Sequence, residues 1–160
     1  MIIVKGTLYL NYYKNQGASR GVRFSISETN PEYSNRVQKL EGLFPPKLLE
    51  SYFDRESIEW SVFRERYFEF LITSEKAQED ISKIVELLNS GIDVSLFTWK
   101  KSMPCYKFII GQLLLTMGFN VVELNGLMSY EYEDNSYLFE KGNTDPEYVK
   151  FKKGSETDVL

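Results

Sequence analysis

The sequence predicts an α/β domain: a single unit with a mostly parallel sheet flanked by helices and a polar C-terminal extension. Three observations carry the prediction. Short β-branched and aromatic runs are interspersed with longer segments of helical period. The stretch from Ile92 to Leu124 reads strand, helix, strand at the spacing of a βαβ unit, whose strands run parallel with a right-handed crossover. A chain of 160 residues, 42% hydrophobic and 15% aromatic, is long enough for one sizeable core. The reading places the α/β domain at residues 1–125 and a polar, acidic extension, partly strand and with a mobile end, at 126–160.

Along the chain, "IIVKGTLYLNYY" is a first strand, in which Leu8, Leu10 and Tyr12 alternate with Thr7, Tyr9 and Asn11. "NQGAS" has turn chemistry, and "RGVRFSIS" then sets Val22, Phe24 and Ile26 against Arg23, Ser25 and Ser27 as a second strand. Asn30 and Pro31 mark a turn. Pro45 and Pro46 suit the first turn of a short helix carrying Leu48, Leu49 and Tyr52. Ser57 is placed to cap the next helix, which repeats Trp60, Phe63, Tyr67 and Leu71 along one aromatic core face. Arg64 and Arg66 lie among Glu59, Glu65 and Glu69 and read as solvated partners.

The clearest helix follows. Ser74 caps it, Ala77, Ile81, Ile84, Val85 and Leu88 form its stripe, and Gly91 supplies the left-handed residue that ends it. "IDVSLFT" is a strand, residues 104–117 a core helix, and "FNVVEL" a further strand. Beyond Asn125 the chain turns polar, with a short strand expected at Tyr137–Phe139 and an extended tail from Asn143. Tyr130, Tyr132, Glu131, Glu133 and Asp134 match no calcium loop and read as a solvated segment.

The net charge of −4 is unevenly spread: +3 over residues 1–30, −4 over 31–90, +2 over 91–120 and −5 over 121–160. A localised positive site on an acidic body suits a small anion and argues against duplex nucleic acid, which needs many phosphate contacts. No apolar run approaches the roughly 20 residues of a membrane span. One cysteine, with no secretory leader, points to a reducing, cytoplasmic setting. The chain has no histidine, which removes the commonest general base and metal ligand, and no cofactor or metal site is read from it.

The segment "TWKKSMPCYK" leaves a strand end, where ligands of open α/β sheets bind. With Pro104 opening the following helix, Cys105 falls in its first turn, where the amides and the helix dipole favour an anion. Lys100, Lys101 and Lys107 add positive charge. Two chemical readings follow: a bound anion held by Lys101, Lys107, Trp99 and Tyr106, or a thiolate of lowered pKa at Cys105 acting as nucleophile. The plain alternative is a buried structural thiol. Arg20 and Arg23 are candidates to point a planar fork at the same crevice, or else to pair with acids such as Glu41 or Glu50.

The run "PPKLLESYFDRESIEWSVFRERYFEFL", followed by "GIDVSLFTWKKSMPCYKFIIGQLL", resembles the YeaO-like family of unknown function, numbered four-eight-eight in domain catalogues. Ile58, Trp60, Phe63, Tyr67 and Leu71 stand in its "I-x-W-x-x-F-x-x-x-Y-x-x-x-L" pattern, and Gly91, Val94 and Leu96 in its "G-x-x-V-x-L" strand. Arg20, Gly21 and Arg23 are similar to its arginine-bearing strand. The resemblance covers residues 1–124 and implies an α/β fold without an assigned activity. Where relatives carry cysteine, histidine and arginine, this chain has Cys105, Tyr106 and Lys107, so imidazole is lost and a positive charge is kept. The resulting expectation is a binder of a small anionic ligand, nucleotide or phosphate-bearing. The alternatives are a protein-interaction module, such as a virus-encoded inhibitor of a host system, and a Cys105-dependent thiol enzyme.

Overall fold

Alternation decides the sheet. In β1, Thr7–Tyr12, the side chains of Leu8 and Leu10 fall on one face and those of Tyr9 and Asn11 on the other, and all four are buried. The computed structural model describes residues 4–14, 20–27, 37–99, 105–125, 128–132 and 151–153. The remaining strands are β2 (Val22–Ser25), β3 (Gln38–Lys39), β4 (Val94–Thr98), β5 (Asn120–Asn125), β6 (Met128–Tyr132) and β7 (Phe151–Lys153). The helices are α1 (Lys47–Asp54), α2 (Trp60–Thr73), α3 (Glu75–Asn89) and α4 (Lys107–Thr116).

The sheet order is β3-β2-β4-β1-β5-β6-β7. The first five strands are parallel, while β6 and β7 pair antiparallel. The α/β class is therefore as the sequence predicts, and the strand–helix–strand unit of β4, α4 and β5 is parallel with β1 lying between its two strands. Register aligns Leu8 with Val94 and Val121, Leu10 with Leu96, and Val94 and Leu96 with Val22 and Phe24. These side chains form one core with residues of all four helices. An apolar helix-facing side of this kind is expected where helices cover a parallel sheet.

The core is dominated by α2. Trp60, Phe63 and Tyr67 are buried and stack in sequence, with ring centroids 5.5 and 5.9 Å apart. Fully burying each such side chain stabilises the fold by roughly 1.5–3 kcal/mol. Arg64 lies within the same stripe and is buried, which corrects its reading as a solvated partner: at i+4 from Trp60 and i−3 from Tyr67 it faces inward whatever its charge. Burial pushes its guanidinium pKa down, against the nearby Glu65 carboxylate.

Ser74 accepts the Ala77 amide at 3.3 Å, and Gly91 has φ +83°, so both ends of α3 form as read from sequence. Other boundaries move. The N-cap of α2 is Glu59, not Ser57, and Pro46 precedes α1 rather than entering its first turn. In α1 only Leu49 is buried; Leu48 is 63% exposed. Helix α4 crosses β1 closely at Gly111, where a Cβ would stand 2.7 Å from Leu10 Cδ1.

Within the polar extension, read as partly strand, residues 128–132 form β6 on β5 and residues 151–153 form β7 on β6, so Tyr130, Glu131 and Tyr132, read as part of a solvated segment, are strand residues. The strand expected at 137–139 lies outside the described residues. Among the described residues no helix is long and apolar enough to cross a membrane.

Candidate functional site

The neighbouring strands β4 and β1 send the chain in opposite directions: β1 leads to β2 on one side, and β4 leads through α4 to β5 on the other. The carboxyl ends of such strands are where α/β sheets place ligands. Here that end is lined with buried polar groups: Asn11, Ser25, Ser27, Thr98, Lys107 and Glu123.

The first residues of interest are those before α4. The helix begins at Lys107 with Tyr106 as its N-cap, so Cys105 precedes the first turn and does not stand in it. The Cys105 thiol is buried and its Sγ contacts Thr98 Oγ1 at 3.6 Å, an ordinary environment for a structural free cysteine. Lys107 is wholly buried. Its amine donates to the Asn11 carbonyl at 3.1 Å and lies over the rings of Tyr12, at 5.6 Å, and Phe108, at 5.3 Å. Burial pushes its pKa down, while electrostatic interaction with its neighbours, Glu123 among them, acts to hold it up. Register sets Glu123 opposite Leu10 on the helix-covered face, so the sheet end holds a cation and a carboxylate in one dry cluster. Lys107 is thus a structural cation tying α4 to β1, and the reading of it as a ligand contact at an open helix start is corrected.

Tyr106 is also turned inward. Its hydroxyl donates to the Ile26 carbonyl at 2.8 Å and meets Ser27 Oγ at 2.9 Å, tying the start of α4 to the end of β2. The Tyr13 hydroxyl pairs with Ser25 Oγ, and Ser25 Oγ donates to the Ser27 carbonyl at 3.1 Å. Burial raises the pKa of Tyr13 and Tyr106, and that of Tyr67, whose hydroxyl donates to the Leu43 carbonyl at 2.6 Å. These phenols are neutral hydrogen-bonding struts.

The arginines do not join this cluster. Register puts Arg23 beside Ser95 and Tyr9, on the face away from α4. Arg20 precedes β2, exchanges backbone bonds with Ser95 Oγ at 3.1 and 2.6 Å, and sets its guanidinium 5.6 Å from the Tyr9 ring centroid. Strand alternation, which the sequence displayed, separates them from Lys107; the expectation of one convergent crevice is corrected. Trp99 is 46% exposed and rests on Tyr13, with centroids 4.9 Å apart, also on that other face. Lys101 lies outside the described residues.

Tyr106 belongs to a second arrangement that sequence reasoning missed. An open cavity of about 460 Å³ lies beyond the end of β3 and the start of α1. Lys39, Glu41, Lys47 and Glu50 line it, with Phe44, Pro45 and Tyr106 as its less polar wall. No side chain caps α1, and Pro46 at its N-cap has no amide to offer. The first turn of α1 borders this cavity through Lys47 and Glu50, so two lysines and two glutamates meet there beside the positive end of the helix dipole. The available sequence signal was the charge clustering of "KLEGLFPPKLLE", where four ionic residues flank a Phe-Pro-Pro helix entry.

Among the described residues no group of three or more histidine, cysteine, aspartate or glutamate side chains is arranged to hold a metal ion. No family model matches the chain, and searches of curated proteins and of solved structures found no match.

Proposed function

We propose that the protein binds a small anionic ligand, nucleotide or phosphate-bearing, in the cavity between the end of β3 and the start of α1. The observation that carries this reading is the meeting of Lys39 and Lys47 with the uncapped first turn of α1 in a space of about 460 Å³. That volume falls in the range of small-molecule sites, and charge-assisted bonds to lysine are strong enough to orient a phosphate. Phe44, Pro45 and Tyr106 offer apolar contact to a ring or a carbon chain. The resemblance to YeaO-like domains belongs to the same proposal and adds no activity to it.

Calorimetric titration with a panel of nucleotides and inorganic phosphate tests the reading. Binding that weakens about tenfold or more in the Lys39→Ala/Lys47→Ala double variant supports it, one charged contact being worth on the order of that factor. Absence of binding across the panel, or an affinity indifferent to both lysines, rejects it.

A further inference from the structure

One stretch of the cavity wall is held from two helices that contribute none of its lining residues. Between β3 and α1, Glu41–Leu43 form a single 3-10 turn, and Glu41, Phe44 and Pro45 line the cavity. A turn of three residues is weak by itself, and Leu40 before it supplies no side-chain cap. Two other elements hold it instead. From α3 the buried Asp80 carboxylate accepts the Gly42 amide at 2.7 Å, with Lys83 Nζ 3.5 Å from its other oxygen. From α2 the buried Tyr67 hydroxyl donates to the Leu43 carbonyl at 2.6 Å. The fit against α3 is close: a Cβ on Gly42 would stand 2.4 Å from the Lys76 carbonyl oxygen and 2.6 Å from Asp80 Oδ2. Tyr67 also meets the Tyr106 ring edge-on, with centroids 5.6 Å apart, so one buried side chain joins the turn to another residue of the cavity wall.

We infer that Asp80 and Tyr67 are positioning residues for the cavity: they set the Glu41–Leu43 turn, and with it Phe44 and Pro45, before a ligand arrives. This rests on the reading of the cavity as the ligand site and adds what keeps its shape. A wall already ordered in the free protein spares the ligand the cost of ordering it, so the loss of either bond is read as weaker binding.

Three variants of the full chain test the role. Tyr67→Phe keeps the ring and loses the bond, Asp80→Ala removes the acceptor, and Asp80→Asn keeps one. Each is checked by thermal unfolding to be folded at the assay temperature, then followed by amide hydrogen exchange and by calorimetric titration with inorganic phosphate and the nucleotide panel. In Tyr67→Phe and Asp80→Ala, exchange over residues 42–44 quickens about tenfold more than exchange in α4, which reports the fold as a whole. Affinity in the same two variants falls by about threefold to tenfold, and Asp80→Asn restores both readouts toward the wild type. Should Asp80→Ala not fold, Tyr67→Phe decides alone, since it removes one oxygen and no packing. Unchanged exchange at 42–44, affinity equal to wild type where exchange has quickened, or an Asp80→Asn variant as weak as Asp80→Ala removes the positioning role and leaves the anion site standing. If neither phosphate nor any nucleotide binds the wild type, the cavity reading falls and the positioning role falls with it.

Discussion

Two regions of this molecule combine lysine with the start of a helix after a parallel strand, and they behave in opposite ways. Before α4 the chain is closed: Lys107 is wholly buried, its amine bonds the Asn11 carbonyl, and Glu123 shares its dry surroundings. Before α1 it is open: Lys39 and Lys47 are exposed on a cavity of about 460 Å³ with Glu41 and Glu50. Charge type and local sequence are alike in the two. Burial separates a lysine that holds the fold from one that solvent and a ligand can reach, because a desolvated charge depends on its internal partners and an exposed one does not.

The comparison is broken most directly at Lys107. Lys107→Ala removes one member of a buried charge cluster and leaves Glu123 without its compensating cation, so the variant loses roughly 3–5 kcal/mol in chemical denaturation. Adding Glu123→Gln costs less than the sum of the two single changes, since the groups are coupled. A Lys107→Ala variant as stable as the wild type would remove the distinction between the two regions.

Tyr106 touches both regions and so sharpens the contrast. Tyr106→Phe keeps the ring on the cavity but strips the bonds to the Ile26 carbonyl and Ser27 Oγ, at a cost of about 1–3 kcal/mol. Its melting temperature falls, whereas affinity for a cavity ligand is retained; the reverse pattern would assign the hydroxyl to the ligand.

Titration gives a third contrast. Burial sets the folded pKa of Lys107 below its ordinary 10.5, so between the two values the unfolded chain binds more protons than the folded one. Stability contributed by this group therefore rises with pH across that window, by up to about 1.4 kcal/mol per pH unit. The buried phenols of Tyr13, Tyr67 and Tyr106 are raised above 10.0, so above pH 10 the folded state keeps protons the unfolded chain loses, and stability falls. Denaturation curves from neutral pH to pH 10 should show the wild type gaining relative to Lys107→Met; parallel curves contradict a desolvated amine.

The smallest effect is expected at the mouth of the cavity. Lys39→Ala and Lys47→Ala remove exposed side chains and change stability by no more than about 0.5 kcal/mol, measured by thermal unfolding. A large loss at either position would make it a second structural lysine and erase the comparison from the other side.

Much of the framework was legible in residue order. Period-two alternation marked β1, β2 and β4, and period 3.6 with Ser74 and Gly91 marked α3 at both ends. These signals are local, since backbone geometry fixes which side chains share a face. Tyr130, Glu131 and Tyr132 were read as solvated because they lead into the carboxylates Glu133 and Asp134, and nothing local names the partner strand β5. Ser57 looked like the cap of α2, yet the helix takes Glu59, since a cap residue states that a turn is favourable and not which turn the packing selects.

The candidate site was legible in its kinds of residue and not in their grouping. The sequence by itself determined the α/β class, the aromatic core stripe of α2, the absence of imidazole, and Cys105, Tyr106 and Lys107 at the entry to an apolar helix. Only the tertiary structure decided that Lys107 faces inward, that α4 lies on the sheet face opposite Arg23, and that Lys39, Lys47, Glu50 and Tyr106 share a cavity. Alternation and helical period act over a few residues, whereas desolvation depends on which distant elements close over a charge. A lysine in this sequence therefore acquires its role only when α4 docks on β1 and β5, and α1 does not.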